Sequence, residues 1–419
     1  MPVNYVPDGD GSAFEEFSGV AWSDAYAFVA HNNLVITAKE LADVQSTLLR
    51  LRKLNIGGNI DGDRNGVRYG VSSGLKKNAS VARPLYAENL LINGGFDFAQ
   101  RQAPGTDTTI GSGDYGPDRW KIERENDSAQ YSRQDAFAEI GIKARYFGKF
   151  TKITNAGKLL IIQIIEGRDS APMRGRSVRF QCKMKASAAK TIRMAVIELQ
   201  NAGTMDGVNA TFSTDMSGAT GVDPTLNTDL AVITGAQNKS VTTDWQEFSV
   251  SVTVPSNSKN LICALWSDAD FAAADWLAVT EAGLYDGTES RDWLPRSVTD
   301  ELLLCQRYYW KTFDVDVAPA EGSLAAAGLL TYDALLAAAS SYIVPVFYPV
   351  QMRNSSGVPK FFNFSSANAK WWNNTGAADS GTPAAVAQGS RHVMIQNPQV
   401  AGDAVGNRMF LHMSMRNEL

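Results

Sequence analysis

The sequence predicts a mainly β protein with a central antiparallel jelly-roll β-sandwich, a small distal β domain and an N-terminal arm with a short helix. Three observations carry this reading. Between residues 89 and about 296, short apolar or alternating runs recur at 159–165, 177–185, 191–199, 248–254 and 261–267, several with the period of two that buries one face of a sheet. Turn-forming clusters such as Asn201-Ala202-Gly203 and Pro255-Ser256-Asn257-Ser258 separate them. Charged residues make up only 20% of the chain, as in turn-rich β structure with neutral polar surfaces. At 419 residues the chain is too long for one small core. Roughly two to four folding units are expected, and the pattern breaks divide it into 1–88, 89–300 and 301–419.

Residues 1–36 are acidic and aromatic with no sustained period, which suits an extended arm that orders on a partner. Thr37 and Glu40 form a capping box opening a helix to about residue 54. Along it Leu41, Val44, Leu48 and Leu51 alternate at spacings of three and four, the seam of a short coiled coil and a candidate oligomerisation surface. An amphipathic helix packed on its own domain has the same pattern. Gly57-Gly58 stops the helix, and the Gly-, Asn- and Asp-rich stretch at 55–88 reads as hairpins or a connector.

Within the jelly-roll region, the weakly charged stretch 203–239 reads as an elaborated loop and a potential contact surface. The block Glu301-Leu302-Leu303-Leu304-Cys305-Gln306-Arg307-Tyr308 closes that region, and further strands are expected at 342–350, 361–364, 392–396 and 408–415. The Ala/Leu-rich composition of 325–339 suits a helix, and Gly328 with the Leu329-Leu330-Thr331-Tyr332 pattern suits a strand followed by a loop at least as well. Pro345 and Pro349 confine their segment to a sheet edge or bend.

A net charge of −5 offers no long-range attraction for nucleic acid. No basic segment leads into an apolar h-region at the start, and no window approaches the ~18 apolar residues of a membrane span, so no membrane insertion is expected. Cys182, Cys263 and Cys305 lack metal or redox spacing and read as small buried hydrophobes. His31, His392 and His412 form no metal motif, and the latter two sit in apolar strands as structural residues. Asp61-Gly62-Asp63-Arg64-Asn65-Gly66 reproduces the start of a calcium loop, with Asp61, Asp63 and Asn65 as candidate ligands. The bidentate acid at the twelfth position is replaced by Ser72, so a plain turn is the stronger reading. No P-loop, dinucleotide fingerprint or nucleophile elbow is present, and no cofactor is expected.

Three ordered blocks carry a resemblance to a known class. Asn89-Leu90-Leu91-Ile92-Asn93-Gly94-Gly95-Phe96-Asp97 followed by Asp118-Arg119-Trp120 resembles the opening strand and its partner in the carbohydrate-binding-module-like jelly rolls of bacteriophage tail fibres and virion spikes. Residues 277–285 with Arg291-Asp292-Trp293-Leu294-Pro295-Arg296, and then the Glu301–Tyr309 block, resemble the far end of the same domain. Tyr348-Pro349-Val350-Gln351-Met352-Arg353, Asn417-Glu418-Leu419 and the 35–45 segment are similar to other parts of such proteins, although Ala42 replaces the usual Asn and 203–239 has no counterpart.

The resemblance implies a non-enzymatic virion component, assembled in the host cytoplasm as a homo-oligomer, with a trimer favoured. Its N-terminus would attach to other virion proteins and its distal β domain would bind host surface polysaccharide. A structural calcium near the first and last strands, involving residues such as Asp97, belongs to the same implication. A purely structural virion role is the alternative. A capsule depolymerase is a further one and would need two carboxylates on one linkage ~5–10 Å apart, for which Glu166, Asp169, Asp268 and Asp270 are candidates. Sugar recognition pairs aromatic faces with amides and carboxylates, and Trp371, Trp372, Asn373 and Asn374 fit that pattern best. Adjacent aromatics in an extended segment face opposite ways, so one Trp in the core and the other against a neighbouring subunit is the competing reading. Trp120, Trp245 and Trp293 read as core or interface packing.

Overall fold

Alternating β-branched and aromatic residues pair into two antiparallel sheets that form the sandwich expected from the sequence. The computed structural model describes residues 89–126, 129–200, 204–207, 212–216, 220–334 and 341–418. The candidate helix residues Leu41, Val44, Leu48 and Leu51 and the candidate metal ligands Asp61, Asp63 and Asn65 lie outside these. The six-stranded sheet runs Thr108–Ile110, Ala129–Asp135, Tyr146–Lys152, Trp276–Asp286, Ser177–Ala186 and Gln246–Thr253 in spatial order. The other sheet runs Leu230–Val232, Lys190–Leu199, Asn260–Ser267, Leu159–Ile165, Lys121–Arg124 and Asp114–Tyr115, with Gln237–Val241 also paired to Lys190–Leu199.

The strand Leu159–Ile165 is buried on both faces, and the reason is the 203–239 excursion. Phe212 and Met216 pack on the outward side chains Leu160, Ile162, Ile164, Ala195, Ile197, Ile262, Ala264 and Trp266. Leu230–Val232 and Gln237–Val241 then close along the edge of Lys190–Leu199. Buried Glu123 accepts the backbone N–H groups of Phe212 and Ser213, which fixes the crossing. The described residues of the stretch read as a loop are therefore a cover with their own short strands.

The opening segment 89–100 is not a strand, contrary to the resemblance. It is held by side chains instead: Asn93 donates to the carbonyls of Phe98 and Asp118 at 2.7 and 2.9 Å, and the Trp120 indole donates to the Asn93 carbonyl at 3.0 Å. Gly94 lies so close to the last strand that a Cβ there would sit 2.1 Å from the Ala282 carbonyl oxygen.

Ser297 caps the helix Val298–Gln306 by accepting the Asp300 N–H at 3.1 Å. From that helix Glu301 accepts Arg296 at 3.1 Å and the Asn93 N–H, tying the opening segment to the junction. Tyr308 donates to buried Glu166 at 2.8 Å, and Arg307 donates to both its oxygens at 3.0 and 3.1 Å. Glu418 returns to the same place. Its carboxylate accepts Arg101 and Arg119, each at 2.8 Å, while the two guanidinium groups lie over the rings of Tyr309 and Tyr308 at 3.8 and 3.5 Å. Burial of Arg119 (2% side-chain exposure) and Glu418 (3%) makes each the other's necessary counter-charge.

Beyond the junction, Arg408–Arg416 is the hub of the distal sheet and pairs with Tyr309–Lys311, Leu330–Asp333, Val358–Phe362 and Trp372–Asn373. A three-stranded sheet, Ser341–Phe347, His392–Pro398 and Ala384–Gln388, packs Val346, Val393 and Ile395 against Leu411, Met413 and Trp371. Pro345 lies in its edge strand, as its missing N–H requires.

Substituting Glu418→Gln leaves Arg119 buried without its charge partner, and an expected loss of about 3–5 kcal/mol should appear as a lowered urea midpoint of the full chain. Lys311 gives a pH test. It is 4% exposed and donates to the carbonyls of Val315 and Val317, and burial pushes its ammonium down to about 8. The unfolded chain holds this proton up to a pKa near the ordinary 10.5, so its destabilising contribution is full below pH 8 and is relieved as pH rises. The stability deficit of wild type relative to Lys311→Met should shrink by up to about 3 kcal/mol as pH rises from about 8 towards 10. Buried thiols oppose the trend but are common to both proteins.

Candidate functional site

Strand alternation divides the Trp371-Trp372-Asn373-Asn374 tetrad between two faces. Trp371 is fully buried among distal core residues, edge-on to Tyr332 at 5.2 Å, with its indole donating to the Gln396 carbonyl at 3.4 Å. Asn373 is also buried, donating to Asp403 at 2.9 Å and accepting from Asn407 at 3.1 Å and the Gly376 N–H at 2.8 Å. Burial and complete hydrogen bonding remove Trp371 and Asn373 from any sugar-facing surface of this fold. Trp372 is half-buried and Asn374 exposed on the opposite, outer face.

On that face strand pairing assembles residues far apart in sequence. Trp372 lies opposite Phe410, which lies opposite Thr331 and meets Phe364 edge-on at 5.2 Å. One step along, Asp333 lies opposite Arg408, whose Nε donates to its carboxylate at 3.0 Å. The Asn374 N–H donates to the Arg408 carbonyl at 2.8 Å, and Thr375 Oγ1 accepts the Arg408 N–H at 3.0 Å. Asp333, Asn374, Thr375, Gly406 and Arg408 line an open polar cleft of about 260 Å³. The Asp333 carboxylate holds the Arg408 guanidinium above its ordinary pKa. An aromatic ledge beside carboxylate, amide, hydroxyl and guanidinium groups can stack a sugar ring and satisfy its hydroxyls. Asp333, Thr375, Arg408 and Phe410 were not legible as site residues, because only the register of 330–333 and 372–373 against 408–410 brings them together.

The other groups singled out from sequence have mostly structural surroundings. Glu166 is buried in the junction. Asp169 pairs with Arg168 at 3.2 Å, and its carboxyl is raised by burial. Asp268 is buried, lies 3.4 Å from Arg193 and accepts the Gly221 N–H at 2.8 Å, while Asp270 is exposed. His412 is buried between Thr312 Oγ1 at 2.8 Å and the Ala325 carbonyl at 2.7 Å, and burial lowers its pKa. Cys182, Cys263 and Cys305 are buried free thiols. Trp120 and Trp293 are core residues, and Trp245 is half-buried against Ala136, Phe147 and Ala278. Burial and nearby Glu301 raise the Asp97 carboxyl. Among the described residues no three His, Cys, Asp or Glu side chains converge as a metal site.

No protein-family model matches the sequence, and no curated protein matches it. Solved structures align with the chain at low identity. The carbohydrate-binding module TmCBM61 in complex with β-1,4-galactotriose is 10% identical over 48% of this chain and 99% of its own, with a TM-score of 0.28. The enzymatically active domain of bacteriophage CBA120 tailspike protein 4 is 11% identical over 48% of this chain and 21% of its own, also at 0.28. A family 4 carbohydrate-binding module is 17% identical over 46% and 98%, at 0.27. Likenesses this distant carry no functional argument, and the sandwich stands on its own strand pairing.

The two tryptophans should separate in stability. Trp371→Ala empties a core position and is expected to cost about 3–5 kcal/mol, whereas Trp372→Ala should stay within about 1 kcal/mol of wild type, both read by chemical denaturation.

Proposed function

We propose that this chain is a non-enzymatic fibre or spike protein of a bacteriophage particle, attached through its N-terminal region and meeting host surface polysaccharide through its distal domain. The observation that carries the reading is the outer face of the distal sheet, where Trp372 and Phe410 flank the Asp333, Asn374 and Arg408 cleft. Cleft and ledge are open and shallow, which suits a polymer passing across rather than a small substrate enclosed for reaction. The phage assignment draws support from the ordered sequence blocks, whose residues Asn93, Arg119, Glu301, Tyr308 and Glu418 are those that build the domain junction.

A homo-oligomer belongs to the same proposal. The outer face of the three-stranded sheet exposes Ile343 (56%), Phe347 (71%) and Val386 (46%) beside Pro345 and Met394, with no charged side chain on any of its strands. Charge depletion of this kind is typical of interface cores, and several copies would raise the avidity of individually weak sugar contacts. Residence in the virion follows from the same reading.

Retention of the full chain on isolated bacterial capsule or lipopolysaccharide should fall roughly tenfold, about 1.4 kcal/mol, on Trp372→Ala or Asn374→Ala. Unchanged retention and unchanged adsorption of particles carrying the variants would point to a purely structural virion role. Release of reducing ends from the polysaccharide would point to an enzyme.

A further inference from the structure

The donors around the distal cleft outnumber its free acceptors, and Arg408 is the clearest case. Its side chain is 60% exposed and has one side-chain partner, Asp333, to which Nε donates at 3.0 Å. Among the described residues nothing accepts from Nη1 or Nη2. A guanidinium presents two edges that match a carboxylate, one made by Nε with an Nη group and one by the two Nη groups together. Asp333 engages the first through Nε, so the second is left open. Thr375 Oγ1 accepts the Arg408 N–H at 3.0 Å, and its own hydroxyl proton meets no acceptor among the described residues. The exposed Asn374 amide has no side-chain partner among them either. Two Nη groups, a hydroxyl and an amide thus surround a cleft whose single carboxylate is already engaged.

The aromatic ledge lies one step along the same strand. Arg408 and Phe410 are alternate residues of Arg408–Arg416 and share a face, a spacing of roughly 7 Å. Trp372 lies opposite Phe410, and Phe364 meets it edge-on at 5.2 Å. A pyranose lying on Trp372 and Phe410 reaches Arg408 through a carboxylate on its C5 carbon, because the ring, the exocyclic carbon and one charge-assisted hydrogen bond of about 2.8 Å fill that spacing. The charge of the ligand is limited as well. Asp333 already offsets Arg408, and no second cation lines the cleft, so a phosphate monoester of roughly −2 charge fits it less well than a monoanion. A further acid on this face, Asp379 opposite Trp372, is taken up by the amides of Asn363 at 3.0 Å and Asn368.

We propose that the distal cleft selects an acidic sugar, a uronic acid residue whose carboxylate takes the Nη1–Nη2 edge of Arg408 while its ring rests on Trp372 and Phe410. Thr375 and Asn374 supply further donors beside that carboxylate. The inference rests on the reading of this face as a polysaccharide site and adds Arg408 as the residue that decides between acidic and neutral sugars.

The test uses the full chain labelled with 5-fluorotryptophan and followed by fluorine NMR, with Trp372→Phe assigning the resonance. Glucuronate, galacturonate and mannuronate are titrated against glucose, galactose and mannose at one ionic strength held by sodium chloride, so that each pair differs only by carboxylate in place of hydroxymethyl. At least one uronate should move the Trp372 signal saturably with an apparent affinity roughly tenfold above that of its neutral counterpart. The advantage should vanish in Arg408→Gln and shrink in Arg408→Lys, which keeps the charge but not the planar fork. Both substitutions fall on an exposed ion pair and should leave the urea midpoint at the wild-type value. Equal affinities within every pair overturn the inference while a sugar site at the cleft survives. So does an advantage that persists in Arg408→Gln or stands undiminished in Arg408→Lys, or a stronger response to glucose 6-phosphate than to glucuronate. A Trp372 signal that no sugar moves removes the distal site itself, and its selectivity with it.

Discussion

The arrangement depends on placing opposite charges where water cannot reach them. Glu418 sits between Arg101 and Arg119, and Glu166 takes both Arg307 and the Tyr308 hydroxyl, so that the sandwich and the distal sheet meet across ionic contacts stacked on tyrosine rings. Such pairs add little when compared with well-packed apolar residues, but they are specific, because each partner left alone would carry an uncompensated buried charge. That specificity fixes which distal-domain residues face the sandwich and leaves the opposite sheet faces outward.

Much of this was legible beforehand. The strand Leu159–Ile165 was read at the observed limits, and the strand Ser177–Ala186 to within a residue, because apolar β-branched runs bounded by turn formers leave little choice. The edge placement of Pro345 followed from its missing donor. The cover formed by 203–239 was not legible, since Phe212 and Met216 are isolated apolar residues in a weakly patterned stretch and their burial depends on an outward sheet face supplied by other strands.

The site shows the same division. Alternation foretold that Trp371 and Trp372 would part, but not which would turn inward, because that depends on the register of 372–373 against 408–410. Asp333 and Arg408 are 75 positions apart, and no local pattern links them. The placing of Glu281 was hidden for another reason: a bulge between Thr280 and Gly283 breaks the period of two, so the strand pattern at 277–285 gives no sign that this buried carboxylate accepts the N–H groups of Lys143 and Ala144.

The strand pair Tyr309–Lys311 with Ser414–Arg416 has a mechanical meaning. The strand that enters the distal sheet is hydrogen-bonded to the strand that precedes Glu418, and Glu418 is bound to Arg101 and Arg119, so the covalent link before Tyr309 is not a lone swivel. Displacement of the distal sheet relative to the sandwich is therefore opposed by this strand pair and by the Glu418 contacts as well as by the backbone.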